Sequence, residues 1–407
     1  MKSYIYLFFA ITVLFSCSPA QKARKLLTEG EVVQSNFYKI IKYETYREWI
    51  IVAARINGST KKYRLLFDTG AVSVISQPLA DALNLPNIVE RPIGSSTNAK
   101  QTSVFTKLDS INVAGIDFLN VGAVVLDFNT SPELSCLGME IDGILGANMM
   151  SHGIWKIDYQ KEEIHFTDNR SKLPFQEDTY EIAFTTSRQG SPFAEIQFNE
   201  ETYKIEFDTG KSGGVGLPYK KVKNTFKKFD ESEYIKGFGT AAIGVFGAAQ
   251  DTVYKLSVKN VQMGEYQQDT LLIDIGRTTR PLLGNRFLKR FKVTFDWQMQ
   301  LISLEPYALD SLPLKHYETF GFGYSLGEDE LEVVFQWEKS PFYEQNIPLG
   351  SQIIKVNGQE IGSLELEEFC TIKDKGLVEK GAKEIDLTLR LPDGTEKTIH
   401  LDAKEIL

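Results

Sequence analysis

The tripeptide Asp-Thr-Gly occurs twice in this chain, at residues 68–70 and again at residues 208–210. Each copy follows an apolar stretch, 63–67 and 203–207, which is typical of a strand that carries the Asp at its end. Two carboxylates held face to face can share one proton and hold one water between them, because like charges at that distance cannot both ionise. The repeat therefore favours a fold that brings two strand ends together.

A second repeated motif follows each tripeptide. The sequence Asp-Gly-Ile-Leu-Gly ends at Gly146, and Arg-Pro-Leu-Leu-Gly ends at Gly284, which are 76 and 74 residues after Gly70 and Gly210. Motifs at matching spacings predict two copies of one structural unit. Each unit is predicted to contain a hairpin that ends at the Asp, a Gly-rich hairpin that covers a cleft, and a short helix (147–150 and 285–288). Asp158 and Asp296, 12 residues after the second motif, are predicted to cap turns rather than do chemistry.

With these motifs, residues 38–306 resemble the aspartic peptidases, specifically tandem retropepsin-like domains. The resemblance implies a mainly β fold with two retropepsin-like acid-protease β-barrel lobes, residues 36–172 and 173–310. It implies an aspartic endopeptidase that needs no metal or organic cofactor, with peptides or proteins as substrates. It also implies a catalytic pair, Asp68 and Asp208, and supporting loop residues, Thr69, Gly70, Thr209 and Gly210. Because a coupled pair titrates as a unit, the roles of base and acid are left unassigned.

The two copies differ at the next position, where Ala71 follows the first and Lys211 follows the second. A Lys beside the pair would favour the ionised carboxylate and lower the apparent pKa values. Three alternatives stay open: the pair acts over an altered pH range, Lys211 points harmlessly to solvent, or the second lobe has lost catalysis. A further alternative takes both tripeptides as ordinary turns.

The last part of the chain, residues 315–405, resembles a PDZ domain of α+β structure. The resemblance rests on the stretch Leu-Gly-Ser-Gln-Ile-Ile-Lys-Val-Asn-Gly at 349–358, in which Ser351 stands where that family has Asp. It implies a loop whose backbone N–H groups bind a peptide carboxylate while the peptide adds as a strand, formed by Gly321, Phe322, Gly323 and Tyr324. Ser363 is predicted to cap the following helix. The alternative is a small structural domain that binds no peptide.

The first residues have the pattern of a signal sequence, with Lys2 before an apolar run at 4–15. The run ends Leu-Phe-Ser-Cys, which resembles the lipobox of bacterial lipoproteins, so residues 1–16 are predicted to be a signal peptide and Cys17 the lipidated residue. Residues 17–35 are then an anchor and polar tether; the alternative is a plain signal peptide with an incidental Cys. The resemblance implies a lipid-anchored protein of the bacterial cell envelope, and Ser18 favours the outer membrane.

Composition limits the classes of partner and the bound groups that the chain is expected to have. The net charge of −9 argues against a nucleic-acid partner, which would require a basic face. The two cysteines beyond Cys17, Cys136 and Cys370, lie far apart in sequence and are predicted to be buried thiols rather than a disulfide. Four scattered His residues favour no zinc site. Both half-sites lie in one chain, which favours a monomer; a non-catalytic peptide-binding lipoprotein is the competing function.

Overall fold

The computed structural model describes residues 18–95, 97, 99–307 and 316–407. The fold is mainly β, as predicted, with 49% of residues in strands and 15% in helices. We refer to residues 18–172 as the first segment, 173–307 as the second segment and 316–407 as the C-terminal segment. The predicted signal peptide and Cys17 lie outside the described residues.

The first segment is a β-rich unit with short helices between its strands. Its elements are α1 (Pro19–Thr28), β1 (Glu31–Val32), β2 (Tyr38–Lys42), β3 (Glu44–Tyr46), β4 (Trp49–Ile56), β5 (Tyr63–Asp68), β6 (Val74–Ser76), α2 (Gln77–Ala82), β7 (Val89–Gly94), β8 (Lys100–Val113), β9 (Ile116–Leu126), α3 (Pro132–Glu140), β10 (Gly143–Gly146), α4 (Ala147–Met150), β11 (Ile154–Asp158), β12 (Glu163–Thr167) and a 3₁₀ turn (Arg170–Lys172).

Residues 17–35, predicted to be a polar tether, include helix α1, so the tether prediction is wrong for this part. The helix begins with a reciprocal cap, in which Ser18 Oγ accepts from the Gln21 amide and the Gln21 side chain accepts from the Ser18 amide. Its apolar face is buried through Ala23, Leu26 and Leu27. These three apolar side chains therefore attach the helix to the first segment instead of leaving it in solvent.

The second segment repeats the order of elements found from β2 onward in the first, except that its described residues contain no counterpart of α3 or of the 3₁₀ turn. It contains β13 (Tyr180–Ala183), β14 (Thr185–Thr186), β15 (Pro192–Phe198), β16 (Glu201–Phe207), β17 (Val215–Pro218), α5 (Tyr219–Phe226), β18 (Tyr234–Gly244), β19 (Gly247–Met263), β20 (Tyr266–Gly276), β21 (Leu282–Leu283), α6 (Asn285–Leu288), β22 (Phe291–Asp296) and β23 (Leu301–Pro306). The two short helices α4 and α6 follow Gly146 and Gly284, as the sequence predicted.

The strand pairings of the two segments correspond. In the first, β10 pairs parallel to β5 and antiparallel to β6, and β6 pairs parallel to β9. In the second, β21 pairs parallel to β16 and antiparallel to β17, and β17 pairs parallel to β20. The equivalent strands β5 and β16 both lead into an Asp-Thr-Gly loop.

A six-stranded sheet joins the two segments, in the order β13-β23-β22-β11-β12-β2. At its centre β11 pairs antiparallel with β22, so that Trp155 lies opposite Phe295. Both side chains are fully buried in a core that also contains Phe67 and Phe207, the residues that precede the two Asp residues. The turns after β11 and β22 are capped by Asp158 and Asp296, whose Oδ1 atoms accept backbone amides, as predicted.

The C-terminal segment has its own core around Phe342 and Phe369, both fully buried. Its elements are β24 (Glu318–Thr319), β25 (Phe322–Leu326), β26 (Leu331–Trp337), α7 (Pro341–Glu344), β27 (Gln352–Val356), β28 (Gln359–Glu360), α8 (Leu366–Lys375), β29 (Glu384–Arg390), β30 (Glu396–Asp402) and β31 (Lys404–Glu405). Strands β26, β27, β29 and β30 are successive neighbours, with β25 on the other side of β26.

The cap predicted for helix α8 is wrong, because the helix begins two residues later than expected. Glu365 is the N-cap, and its side chain and that of Glu368 satisfy each other's backbone amides. Ser363 instead donates from Oγ to Asp329 Oδ2 at 2.6 Å.

The C-terminal segment is attached to both other segments. Strand β26 pairs with β18, with Gly237 opposite Trp337, so one sheet runs from the second segment into the C-terminal segment. Cys136 in α3 and Cys370 in α8 form a disulfide with their Cα atoms 5.4 Å apart. The prediction of two free buried thiols is therefore wrong: the cysteines are distant in sequence, but α3 and α8 pack against each other.

Among the described residues, no helix is long and apolar enough to cross a membrane.

Candidate active site

The two candidate catalytic residues lie at equivalent strand ends. Asp68 is the last residue of β5, where parallel pairing places Gly146 of β10 beside it. Asp208 follows β16, and its amide donates to the Leu283 carbonyl of β21 at 2.9 Å. The local sequence explains this position, because a buried apolar strand ends where the small residues Thr and Gly allow a tight loop.

The two loops face each other so closely that their glycines are required. A Cβ atom on Gly70 would lie 2.6 Å from Asp208 Cγ, and a Cβ on Gly210 would overlap the Asp68 carboxyl group. The two carboxyl groups lie close enough for each to affect the pKa of the other. The structure thus brings Asp68, Gly70, Asp208 and Gly210 to one point.

Backbone amides hold each carboxylate. Asp68 Oδ1 accepts from the amides of Gly70 at 2.8 Å and Ala71 at 3.1 Å. Asp208 Oδ1 accepts from the amide of Gly210 at 2.8 Å. The orientation of both side chains is therefore fixed by the loops in which they lie.

Thr69 and Thr209 connect the two loops through four reciprocal hydrogen bonds. The hydroxyl of Thr69 donates to the Phe207 carbonyl at 2.7 Å and accepts from the Thr209 amide at 3.0 Å. The hydroxyl of Thr209 donates to the Phe67 carbonyl at 2.8 Å and accepts from the Thr69 amide at 3.0 Å. Both threonines are fully buried, so no water competes for these bonds.

The glycine motifs pack behind the loops. The amides of Ala147 and Asn285, which follow the motif glycines, donate to the carbonyls of Ala71 and Lys211, each at 2.8 Å. A Cβ on Gly284 would lie 2.5 Å from the Lys211 carbonyl oxygen, and one on Gly146 would overlap the backbone of the first loop. Only glycine allows this close approach.

Sequence reasoning missed several supporting side chains. Asn285 Nδ2 donates to the Thr209 carbonyl at 2.7 Å and to the Glu48 carbonyl at 2.8 Å. Trp49 Nε1 donates to the Gly210 carbonyl at 2.7 Å, so the first segment also braces the second loop. Asn148 stabilises the backbone after the first loop, because its Oδ1 accepts a hydrogen bond from the Ser73 amide at 2.7 Å. The shared signal is an Asn one or two residues after each motif glycine, at Asn285 and Asn148.

The electrostatics of the pair favour a shared proton. Burial raises the pKa of Asp68 well above its ordinary value, and the neighbouring Asp208 raises it further. Burial also raises the pKa of Asp208, although the Lys211 ammonium opposes that shift. A buried pair of this kind retains one proton at a pH where isolated carboxyl groups are ionised.

Lys211 is half-buried rather than directed freely into solvent. Its Nζ would lie 3.2 Å from a Cβ on Gly216, and burial lowers its pKa while Asp274 and Asp208 oppose that shift. Glu206 adds a further buried acid, because burial and then Asp208 raise its pKa to about 8. The second half-site thus contains two ionisable side chains where the first has Leu66 and Ala71 at the matching positions.

One hairpin of each segment extends to the other segment. At the end of the β7–β8 hairpin, the Ser95 carbonyl accepts from Arg280 Nη1 at 3.4 Å. At the tip of the β18–β19 hairpin, the Val245 carbonyl accepts from Thr130 Oγ1 at 3.1 Å, and Phe246 packs on an apolar cluster of the first segment. Ser96, in the first of the two hairpins predicted to cover a cleft, lies outside the described residues.

The four residues predicted to bind a peptide carboxylate do not form one loop. Phe322, Gly323 and Tyr324 lie in strand β25, paired with β26. Gly321 alone precedes the strand, with φ at +102°, and its amide donates to Thr319 Oγ1 at 3.0 Å. The loop conformation predicted for these residues is therefore wrong for three of the four, which lie in a strand, while their binding of a peptide carboxylate stays a prediction.

One group of side chains in the described part of the chain has the spacing to hold a metal ion. Ligand atoms of Glu384, His400 and Asp402 lie within 4.8 Å of one another on the exposed face of β29 and β30. His400 Nδ1 is already hydrogen-bonded to Asp386 Oδ1 at 2.8 Å.

Comparison with known families agrees with the site. Residues 52–149 match the family model described as Aspartyl protease. The matched stretch runs from β4 to α4 and contains the first Asp-Thr-Gly loop and its glycine motif. The match supports an aspartyl protease domain, and hence a hydrolase of the peptidase kind, in this part of the chain. No curated protein matches the chain closely enough to count as a relative.

Proposed function

We propose that this protein is an aspartic endopeptidase in which Asp68 and Asp208 together activate one water molecule. The observation that carries the proposal is the reciprocal hydrogen bonding of Thr69 and Thr209, which fixes two equivalent Asp-Thr-Gly loops face to face. The segments on either side act as tandem retropepsin-like lobes. Their matching strand pairings support this reading.

The chemistry follows from one proton shared by two carboxyl groups. The ionised carboxylate takes a proton from water as the water oxygen attacks the peptide carbonyl carbon. The protonated partner donates its proton to the carbonyl oxygen, giving a tetrahedral intermediate. When the C–N bond breaks, the leaving nitrogen receives the proton held by the pair, and a hydroxyl of the intermediate gives its proton to the other carboxylate as the product carboxyl group forms. The pair thereby returns to its starting state with one shared proton. Burial of both groups keeps that shared proton in place under mildly acidic conditions.

The proposal is tested by cleavage of a denatured protein mixture between pH 3 and 8. The full chain is compared with Asp68→Asn, Asp208→Asn and the matched control Asp109→Asn, which removes an exposed carboxylate from β8. We expect each dyad variant to lose at least ~10³-fold in rate, because the two groups act as a unit, while the control retains activity. Failure of the folded full chain to cleave at any pH would overturn the peptidase proposal.

A second candidate function is a non-catalytic peptide-binding lipoprotein on a peptidase scaffold. Lys211 is the observation that favours it, because its ammonium stabilises ionised Asp208 and so disfavours the shared proton. In that case the folded chain would bind denatured substrate, and Asp68→Asn would bind it equally well without any cleavage by either protein.

We further propose that the C-terminal segment is a PDZ-like module for the ends of peptide chains, with β25 and α8 as the walls of its groove. The segment's order of strands and helices supports this. Cys17 is proposed as a lipid anchor to the bacterial cell envelope, with the protein acting as a monomer on peptide or protein substrates. Mass spectrometry of the mature N-terminus tests the anchor: an unmodified Cys17 would contradict it.

A further inference from the structure

Helix α3 of the first segment lies against both walls of the groove in the C-terminal segment. Its Cys136 is bonded to Cys370 of α8. Its Glu133 accepts at Oε1 from Ser325 Oγ of β25 at 2.6 Å. The helix therefore lies where an external peptide would enter between β25 and α8.

Strand β25 presents one edge toward α8. Val333, the residue opposite Tyr324, uses its amide and carbonyl on the far side, toward Ser351 and Gly350, each at 2.9 Å. Opposite residues of an antiparallel pair either bond to each other or both point away, so the Tyr324 amide and carbonyl point toward α8. That edge is the one to which an added strand would bond.

The same edge is already occupied by side chains. Lys373 of α8 donates from Nζ to the Tyr324 carbonyl at 3.0 Å, and its ammonium lies 4.5 Å from the centre of the Tyr324 ring. The Lys373 ammonium is half-buried and interacts with the carboxylate of Glu133 in α3. A carboxylate supplied by the chain itself thus lies against β25, close enough to a half-buried cation to attract it.

A second contact holds α8 against the first segment. Arg47, in the turn between β3 and β4, pairs through Nε with Asp374 Oδ1 at 2.6 Å. This pair lies four residues beyond the disulfide, on the same helix. The first segment therefore holds α8 at both Cys370 and Asp374.

We propose that α3 is the resident ligand of the groove between β25 and α8, and that the Cys136–Cys370 disulfide latches it there. The inference rests on the PDZ-like groove proposed above but not on the peptidase activity. A dithiol opens the latch by thiol–disulfide exchange: the S–S bond breaks, both cysteines gain a proton, and the dithiol becomes a disulfide. Because Cys136 is fully buried and Cys370 nearly so, exchange requires local opening of α3.

The latch is tested by alkylation of each cysteine under native conditions in the full chain, scored by peptide mass spectrometry. In the oxidised protein neither Cys136 nor Cys370 reacts. Cys136→Ser removes the disulfide without changing the rest of α3. The comparison protein carries the same substitution together with Glu133→Cys and Ser325→Cys, which cross-link α3 to β25. We expect Cys370 to react at least ten-fold faster in Cys136→Ser than in the cross-linked protein. Cys17 is scored in its own peptide.

The outcomes separate the latch from peptide binding. If Cys370 of folded Cys136→Ser stays as unreactive as in the cross-linked variant, α3 is a permanent part of the core and the proposal is overturned. Native reduction of the wild-type chain with dithiothreitol must give the same labelling, which guards against misfolding of the variant.

A fluorescent heptapeptide library with free C-terminal carboxylates is the binding probe. Binding by Cys136→Ser and not by the oxidised chain supports the latch and the groove together. Labelling of Cys370 without any peptide binding supports the latch and contradicts only the peptide-binding proposal made above.

Discussion

At the scale of residues, the asymmetry between the two half-sites resides mainly in one side chain, Lys211. Sequence alone left open whether it faces solvent, and its half-buried position beside Asp208 answers that question. A cation at this position lowers the pKa of Asp208 without supplying or removing a proton in the proposed reaction. In the proposed reaction Lys211 thus acts by stabilising the ionised form of Asp208 and does not transfer a proton itself.

Replacement of Lys211 by methionine is expected to move the pH profile of cleavage upward. Without the ammonium, the apparent pKa values of the pair rise, so both the acidic and the basic limb shift to higher pH. The measurement is kcat/KM against pH on a fluorogenic peptide, with Lys204→Met, an exposed lysine of β16, as the control. Superimposable profiles for Lys211→Met and wild type would contradict the electrostatic role.

The threonine pair offers a second test at this scale. In Thr209→Val the buried amide of Thr69 and the Phe67 carbonyl lose their partner, so we expect a loss of about 2–4 kcal/mol in the free energy of unfolding and a large fall in kcat. Thr106→Val is the matched control, because Thr106 is equally buried and its hydroxyl has no hydrogen-bond partner among the described residues. Chemical unfolding gives the free energy of unfolding of both variants. Equal losses in Thr209→Val and Thr106→Val would show that the hydrogen bonds of Thr209 do not stabilise the fold.

Glu206 makes a prediction about pH and stability. Its pKa of about 8 in the folded protein exceeds the ordinary value for Glu. Between those two values the unfolded chain ionises and the folded chain does not, so stability falls as pH rises, by at most about 1.4 kcal/mol per pH unit. Below the ordinary value and above pH 8 this contribution is flat.

The measurement is the difference in unfolding free energy between wild type and Glu206→Gln at several pH values. As pH rises from about 5 to 8, the wild type should lose stability relative to Glu206→Gln. Glu201→Gln, which removes an exposed carboxylate from the same strand, serves as the reference. A slope no greater than that of the reference would show that Glu206 ionises normally.

At the scale of elements, the sequence predicted those features whose cause is local. The hairpin that delivers the second Asp was predicted from the sequence, and it is formed by β15 and β16, with Asn199 and Glu200 at positive φ in the turn between them. The short helices α4 and α6 were predicted in the same way, because the glycine before each of them marks where the strand ends. Residues 52–149 also match an aspartyl protease family model, as the motifs predicted.

Contacts between distant elements could not be predicted in this way. The disulfide joins residues 234 positions apart, and no spacing rule brings α3 to α8. The pairing of β18 with β26 is also non-local, since Gly237 and Trp337 are 100 positions apart, although the sequence predicted a Gly-rich hairpin in this part of the second unit. Such glycines have two explanations, a mobile hairpin or close packing, and only the positions of Phe335 and Trp337 distinguish them.

That packing gives a prediction for Gly237. A Cβ at this position would lie 2.6 Å from a ring carbon of Trp337, and closer still to the Phe335 ring, so Gly237→Ala overpacks the β18–β26 contact. We expect a loss of about 1–3 kcal/mol in the free energy of unfolding. Gly362→Ala is the control, since a Cβ there meets no atom within 4 Å. Thermal unfolding compares the two, and an unchanged Tm for Gly237→Ala would show that the strands separate freely.

At the scale of the whole molecule, the C-terminal segment connects the parts that surround the proposed cleft. It bonds to the first segment through α3 and extends the sheet of the second segment through β18. The tip of the β18–β19 hairpin contacts Thr130, two residues before α3 begins. Movement of that hairpin and release of α3 are therefore expected to be coupled, since both require the same local contacts to break.

The β18–β26 pairing has a consequence for solubility. Strand β26 covers an edge of β18 that includes Phe238, and an uncovered edge with an aromatic side chain is a template for association with other chains. A chain ending at residue 307, with Cys136→Ser to prevent stray disulfides, is therefore expected to aggregate. Adding Phe238→Lys should restore a monomer, because a charge on an edge strand opposes such pairing. Light scattering measures both, and a monodisperse truncated chain would refute the idea that the last 92 residues described also protect the protein from self-association.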